Sequence, residues 1–146
     1  MNYWIYVTSF ENWLLTKEKN VLGISLKYQS SLKTITVGDK CLIYTKPAKF
    51  CDEKIDSSLV AVYEIKSDSY VDNFQIFSPA ATNPKEKFSL RWDIVPLKIF
   101  DKPHPFKKYV NQVNFVTNKT RWGMTFMGRA MIKISSDDFI LLSSDQ

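Results

Sequence analysis

Few residues of this chain could carry chemistry, and their spacing narrows what that chemistry could be. There is one histidine, His104, flanked by Pro103 and Pro105. A metal site built on two or three histidines is therefore impossible. A Ser-His-Asp or Cys-His arrangement would have to mount its base in a proline-flanked loop, a poor support for a group that must be held rigidly. Cys41 and Cys51 lie ten residues apart without a CxxC spacing, and two cysteines alone cannot complete a zinc site. They read as one core thiol and one loop thiol. The segment Gly123-Met-Thr-Phe-Met-Gly128-Arg129-Ala130 has the glycine spacing of a phosphate-binding loop. It lacks the lysine, has Ala130 where a Mg²⁺-binding hydroxyl belongs, and carries side chains too bulky to wrap a phosphate. Asp137 and Asp138 read as helix-start charges, and Asp52, Glu53 and Asp56 as a solvated loop. No catalytic residue, metal or cofactor is expected.

More informative are aromatic residues next to bases. Arg91-Trp92 and Arg121-Trp122 each join a phosphate-capable fork to a stacking ring. Trp92 alternates with Leu90 and Ile94 and so belongs mainly to a core, as Trp4 and Trp13 also do. Charge is uneven along the chain. Residues 85–133 hold eleven Lys or Arg against three acids, a balance of +8, and the remainder is −3, giving +5 in all. A basic segment on a small domain favours a polyanionic partner, usually nucleic acid.

The elements that must position these residues follow from length and pattern. At 146 residues and 17.0 kDa the chain is expected to form one domain over residues 1–146. No apolar run reaches membrane-spanning length, and Met1–Val7 lacks the basic start and cleavage site of a signal peptide. A cytoplasmic protein with no membrane partner is expected. Tyr3–Val7 reads as a strand. Thr8-Ser-Phe-Glu11 reads as a capping box with Thr8 as the cap, opening a helix with Phe10, Trp13 and Leu14 inward and Lys17–Lys19 outward. Asn20 is a plausible stop. A short strand or bend at 21–24, a second helix at 30–35 and a strand at Cys41–Thr45 follow. Pro47–Ser58 reads as a surface loop and Leu59–Ile65 as a strand. Asp72–Lys87 is a long loop of the kind that often carries function. The alternation of Phe88, Leu90, Trp92 and Ile94 predicts a half-buried strand. His104 falls in a loop, Pro105–Val113 in a short helix, Lys119–Thr125 in an irregular basic stretch, and Ala130–Ile134 in a strand. Ser136 caps a final helix. The order predicts an α+β fold, with a curved mixed sheet or small barrel flanked by short helices.

Taken in order, these pieces resemble the EVE domain family of the PUA-like superfamily, in its small archaeal and bacterial branch. The matching residues are Asn2-Tyr-Trp-Ile5, Glu11-Asn-Trp13, Asn20-Val-Leu-Gly23, Val37-Gly-Asp-Lys40 with Ile43-Tyr44, Tyr70-Val-Asp72 and Gln75-Ile-Phe77. The most specific are the run Asn114–Trp122 and Gly128-Arg-Ala-Met131. The likeness spans about residues 2–142. It implies a curved, barrel-like sheet similar to that of YTH domains. It also implies a non-catalytic reader of DNA or RNA that takes a flipped or modified base, such as 6-methyladenine or 5-methylcytosine, into an aromatic pocket.

By the same resemblance, Asn12 falls where an amide meets the base edge, and Gly23 where a carbonyl accepts from an exocyclic amine. Phe77 is the counterpart of a cage aromatic, Ser9 a further polar contact, and Arg129 the grip on backbone phosphate. Lys119 and Arg121 extend the cationic rim. Leu22 departs from the pattern, standing where Trp is usual, with Trp4, Tyr28 and Trp122 as candidates for the missing ring face. Two other readings stay open. One is a small hydrolase acting on a modified nucleoside or nucleotide, as in the related ASCH domains, with Thr8 and Glu11 nearby. The other is a protein-interaction module. A monomer is expected.

Overall fold

A computed structural model describes residues 1–50 and 52–144. Among them are nine strands: β1 Tyr3–Thr8, β2 Val21–Ile24, β3 Lys40–Thr45, β4 Ala48–Phe50, β5 Glu53–Ile55, β6 Ser58–Ile65, β7 Tyr70–Val71, β8 Leu90–Pro105 and β9 Met131–Ile134. Two α-helices accompany them, α1 Phe10–Lys19 and α2 Ser136–Ser143, with short 3₁₀ turns at Leu26–Tyr28, Phe106–Tyr109 and Trp122–Phe126. The main sheet runs β2-β8-β6-β3-β1-β9, with β7 also on β8. Only β1 and β3 pair in parallel; the other pairings are antiparallel. The α+β class and the curled mixed sheet expected from sequence are what the chain adopts.

Both faces of the central strands are covered. Ile5 and Val7 of β1 join Leu42 and Tyr44 of β3 in one core, where Phe106, Phe126, Phe139 and Leu142 also pack. Trp4 and Tyr6 join Cys41 and Ile43 in the other, with Trp13, Tyr63 and Trp92. A strand buried on both faces has no polar positions to spare, which is why Tyr3–Val7 and Cys41–Thr45 are nearly continuous apolar runs. Cys41, the expected core thiol, has no exposed surface, and burial pushes its thiol well above the ordinary range. Cys51 lies outside the described residues.

Several local expectations are corrected. The cap of α1 is Ser9, whose hydroxyl accepts from the Asn12 N–H, while Thr8 stays in β1 opposite Thr45. The buried face of α1 is Asn12, Trp13 and Thr16, and Leu14 is exposed. Ser135, not Ser136, caps α2. Residues 30–35 form turns rather than a helix, and a small hairpin, β4–β5, occupies part of the expected 47–58 loop. His104 lies within β8, opposite Leu59, with its ring stacked on Phe100 at 4.2 Å. Asn20 does end α1, in the left-handed conformation at φ 54°.

Candidate functional site

A cavity of about 370 Å³ opens beside the end of β1 and Lys46, which follows β3, where four further chain segments meet. They are the first turn of α1, the end of β2 with the following 3₁₀ turn, the long loop between β7 and β8, and the bend before β9. This volume lies within the usual range of small-ligand pockets. The loop alone has little regular structure, so its position depends on anchors.

The first anchor is Asn12. Its amide donates to the Ser78 carbonyl at 2.9 Å and accepts from the Ser78 N–H at 2.8 Å. The side chain thereby pairs with loop backbone as a neighbouring strand would. Glu11 accepts from the Ser78 hydroxyl at 2.8 Å. The second anchor is Arg91, which has no exposed surface. It donates to the carbonyls of Phe74, Lys87 and Phe88 and lies 3.3 Å from the Asp72 carboxylate. The sequence suggested a phosphate fork at Arg91; the fold spends that fork on its own loop.

The third anchor is Phe77, buried against Gly23. A Cβ on Gly23 would come within 2.2 Å of the ring, so glycine is required here by close approach. Arg91 lies 5.8 Å from the same ring. Phe88 meets it edge-on at 6.1 Å. Phe88 itself has φ 49°, a conformation costly for a bulky residue. Glu86 accepts from its N–H at 2.9 Å and Arg91 donates to its carbonyl at 3.2 Å, which hold it there. The ring of Phe88 is half-buried on the cavity wall.

The wall is mixed in polarity. Ser9, Ser25 and Asn83 supply hydroxyl and amide groups, and Tyr6, Tyr28 and Phe88 supply rings. The Tyr6 hydroxyl donates to the Gly23 carbonyl at 2.8 Å, and burial pushes its pKa up to about 12, partly offset by that bond. It stays protonated at neutral pH. Lys27, Lys46 and Arg129 bring positive charge, against Glu11 and Glu86. No ion pair engages these three cations among the described residues.

Of the residues singled out from sequence, Ser9, Asn12, Gly23 and Arg129 line this cavity together. Tyr28, one of the candidate ring faces, and Thr8 and Glu11 line it too; Leu22, Phe77, Trp4, Trp122, Lys119 and Arg121 do not. Leu22 is fully buried in the core, in register with Trp92. Phe77 lies beneath its own loop. Trp122 packs in the opposite core, 5.6 Å from Phe106. Lys119 donates to the Val113 carbonyl, and the Arg121 N–H donates to the Asn118 side chain, both away from the wall. Trp4 is fixed by a 2.9 Å bond from its indole N–H to Asp39 and borders a neighbouring hollow. The +8 segment contributes only Arg129 of its eleven cations to the wall; Lys27 and Lys46 come from the acidic remainder. Sequence reading missed Phe88, Lys27 and Lys46. Phe88 was legible only as a strand residue, because nothing local announces a positive φ. Among the described residues no group of His, Cys, Asp and Glu could hold a metal, and no helix is long and apolar enough to cross a membrane.

Comparison with known proteins accounts for this architecture. UPF0310 protein PH1033 of Pyrococcus horikoshii is 36% identical over 143 residues, 97% of each chain. Among solved structures, human THYN1 in complex with 5-methylcytosine-containing DNA superposes with a TM-score of 0.61 at 12% identity, covering all of both chains. The Mmi1 YTH domain superposes at 0.60 with 9% identity, covering 97% of this chain and 92% of its own. At such identities these two establish the fold alone. The model of the EVE domain matches residues 2–144, nearly the whole described chain, and the chain belongs to the EVE domain family.

Proposed function

We propose that this protein is a nucleic-acid reader that takes one base, flipped or unpaired, into the cavity at the end of β2. The observation that carries the reading is a cavity with rings, hydrogen-bonding groups and three cations, Lys27, Lys46 and Arg129, that make no ion pair among the described residues. A flipped base needs ring contact for its faces, polar groups for its edge and cations for the flanking phosphates. Tyr28 and Phe88 offer rings, Ser9 and Ser25 offer hydroxyls, and Lys27, Lys46 and Arg129 offer charge. The fold shared with THYN1, which was crystallised on DNA containing 5-methylcytosine, supports the same reading.

The proposed ligand is a modified base such as 5-methylcytosine or 6-methyladenine, in DNA or RNA, held without covalent chemistry by a monomer. Glu11 and Glu86 already accept hydrogen bonds from Ser78 and Phe88. That use suits a loop-shaping role better than acid–base work.

The test is a titration of labelled single- and double-stranded DNA and RNA, with and without each modification, by fluorescence anisotropy at several salt concentrations. One modified oligonucleotide should bind tightest. Two or three phosphate contacts predict a log–log salt slope of roughly −1.5 to −3. Arg129→Ala should weaken binding and flatten that slope by somewhat under one. Equal binding to every oligonucleotide, or none, would contradict the proposal.

A further inference from the structure

A second hollow of about 270 Å³ adjoins the cavity. The two share a wall of Tyr28, Gly128, Arg129 and Ala130. Their linings differ in the groups they present. The first mixes hydroxyls, amides and both signs of charge. The second has Trp4, Leu32 and Met131 beside Ser31 and the shared residues, with no carboxylate or side-chain amide among its lining residues. The partition is held in place. The Tyr28 hydroxyl donates to the Gly128 carbonyl at 3.1 Å, and Gly128 turns the chain at φ 70° just before Arg129. The Arg129 side chain is exposed where the hollows meet and makes no ion pair among the described residues.

We infer that the two hollows are successive nucleotide subsites, so that the ligand unit is a dinucleotide step in an unpaired strand. Arg129 contacts the phosphate joining the two nucleotides, and Tyr28 separates their bases. The first subsite reads a base edge. The second takes its neighbour by ring contact with apolar side chains, which every base can satisfy, so it adds affinity with little sequence preference. The inference rests on the base-reading role of the first cavity. It also gives that role a direction: one side of the read base must be unpaired, which disfavours a fully paired duplex.

The experiment compares three ligands carrying the base preferred in the oligonucleotide titration. They are the 5′-mononucleotide, the dinucleotide, and the dinucleotide abasic at its second position. Binding is followed by amide shifts in ¹⁵N-labelled protein. The dinucleotide should bind about fivefold or more tighter than the abasic form. Ser31→Trp fills the second hollow from an exposed position and should collapse the dinucleotide-to-mononucleotide affinity ratio toward one. Arg129→Ala should also lower that ratio. If the mononucleotide binds and the second base adds nothing, the two-subsite inference falls and the reader stands. If neither mononucleotide nor dinucleotide binds at millimolar concentration, both fall. The abasic comparison uses the unaltered protein, so the outcome does not depend on how Ser31→Trp folds.

Discussion

Replacing Gly23 by alanine asks for space that the fold has already filled. The new Cβ would sit 2.2 Å from one ring carbon of Phe77 and 2.6 Å from the next. Ordinary carbon contacts begin near 3.5 Å, so the ring edge must retreat by about 1.3 Å. Retreat is opposed, because Phe77 is buried against Phe88 and the Arg91 guanidinium. Overpacking of this kind costs about 1–3 kcal/mol, slightly offset by the better strand propensity of alanine. For a chain of this size that lowers Tm by roughly 3–9 °C. The decisive assay is a double-mutant cycle by thermal and urea unfolding. Phe77→Ala alone should cost about 3–5 kcal/mol. In the double variant the clash is absent, so its cost should fall short of the summed single costs by about 2 kcal/mol. Additivity within about 0.5 kcal/mol, or a Gly23→Ala variant as stable as the parent, would refute the close-packing argument for this loop.

Three further outcomes are expected. Arg91→Met removes the donor to three carbonyls and should cost about 3–5 kcal/mol, with amide exchange across residues 72–89 rising more than elsewhere; uniform exchange would count against a loop-fastening role. Asn12→Asp keeps the acceptor for Ser78 N–H but sets a carboxylate against the Ser78 carbonyl, so about 1–3 kcal/mol should be lost, with faster proteolysis in the same loop. Asp39 accepts from the N–H groups of Asn2 and Thr36, the Thr36 hydroxyl and the Trp4 indole. Burial pushes its carboxyl up, but these bonds outweigh burial and leave it below the ordinary value. Its stabilisation is therefore fully present above about pH 4 and lost as pH falls through its lowered pKa. Asp39→Asn should be less stable than the parent at pH 7, and the gap should narrow below pH 4; a constant gap from pH 7 to pH 2 would contradict this.

The sheet was legible because its signal is local. Trp4, Tyr6, Cys41 and Ile43 alternate with Ile5, Val7, Leu42 and Tyr44 between two cores, and runs of β-branched and aromatic residues announce such strands. Boundaries were less legible. Thr8 and Ser9 are both good caps, and β1 decides between them by keeping Thr8 in its pairing with β3. Leu14 looked inward by type, but Asn12 and Thr16 hold the buried face, because the loop supplies Asn12 with a backbone partner 66 residues away. The site was least legible for the same reason. Arg91 reads as a surface fork until Phe74, Lys87, Phe88 and Asp72 are seen around it. Phe88 reads as an alternating strand residue until its positive φ turns it to the cavity. Residue type gave Ser9, Asn12, Gly23 and Arg129 through family resemblance. Lys27 and Lys46 needed the fold, since they lie outside the basic segment that sequence emphasised.

The central claim is that a base enters the cavity between α1, β2 and the bend before β9. The most direct measurement is a map of amide shifts on adding a saturating single-stranded oligonucleotide that carries one modified base. Shifts centred on Ser9, Asn12, Gly23–Ser25, Lys27–Tyr28, Lys46, Phe88 and Arg129–Ala130, with the second hollow's Trp4, Ser31, Leu32 and Met131, and much weaker at Ser9, Asn12 and Gly23–Ser25 with the unmodified strand, are the predicted result. Shifts centred instead on Lys107, Lys108, Lys119 and Arg121, alike for both strands, would contradict it and reduce the interaction to a basic surface.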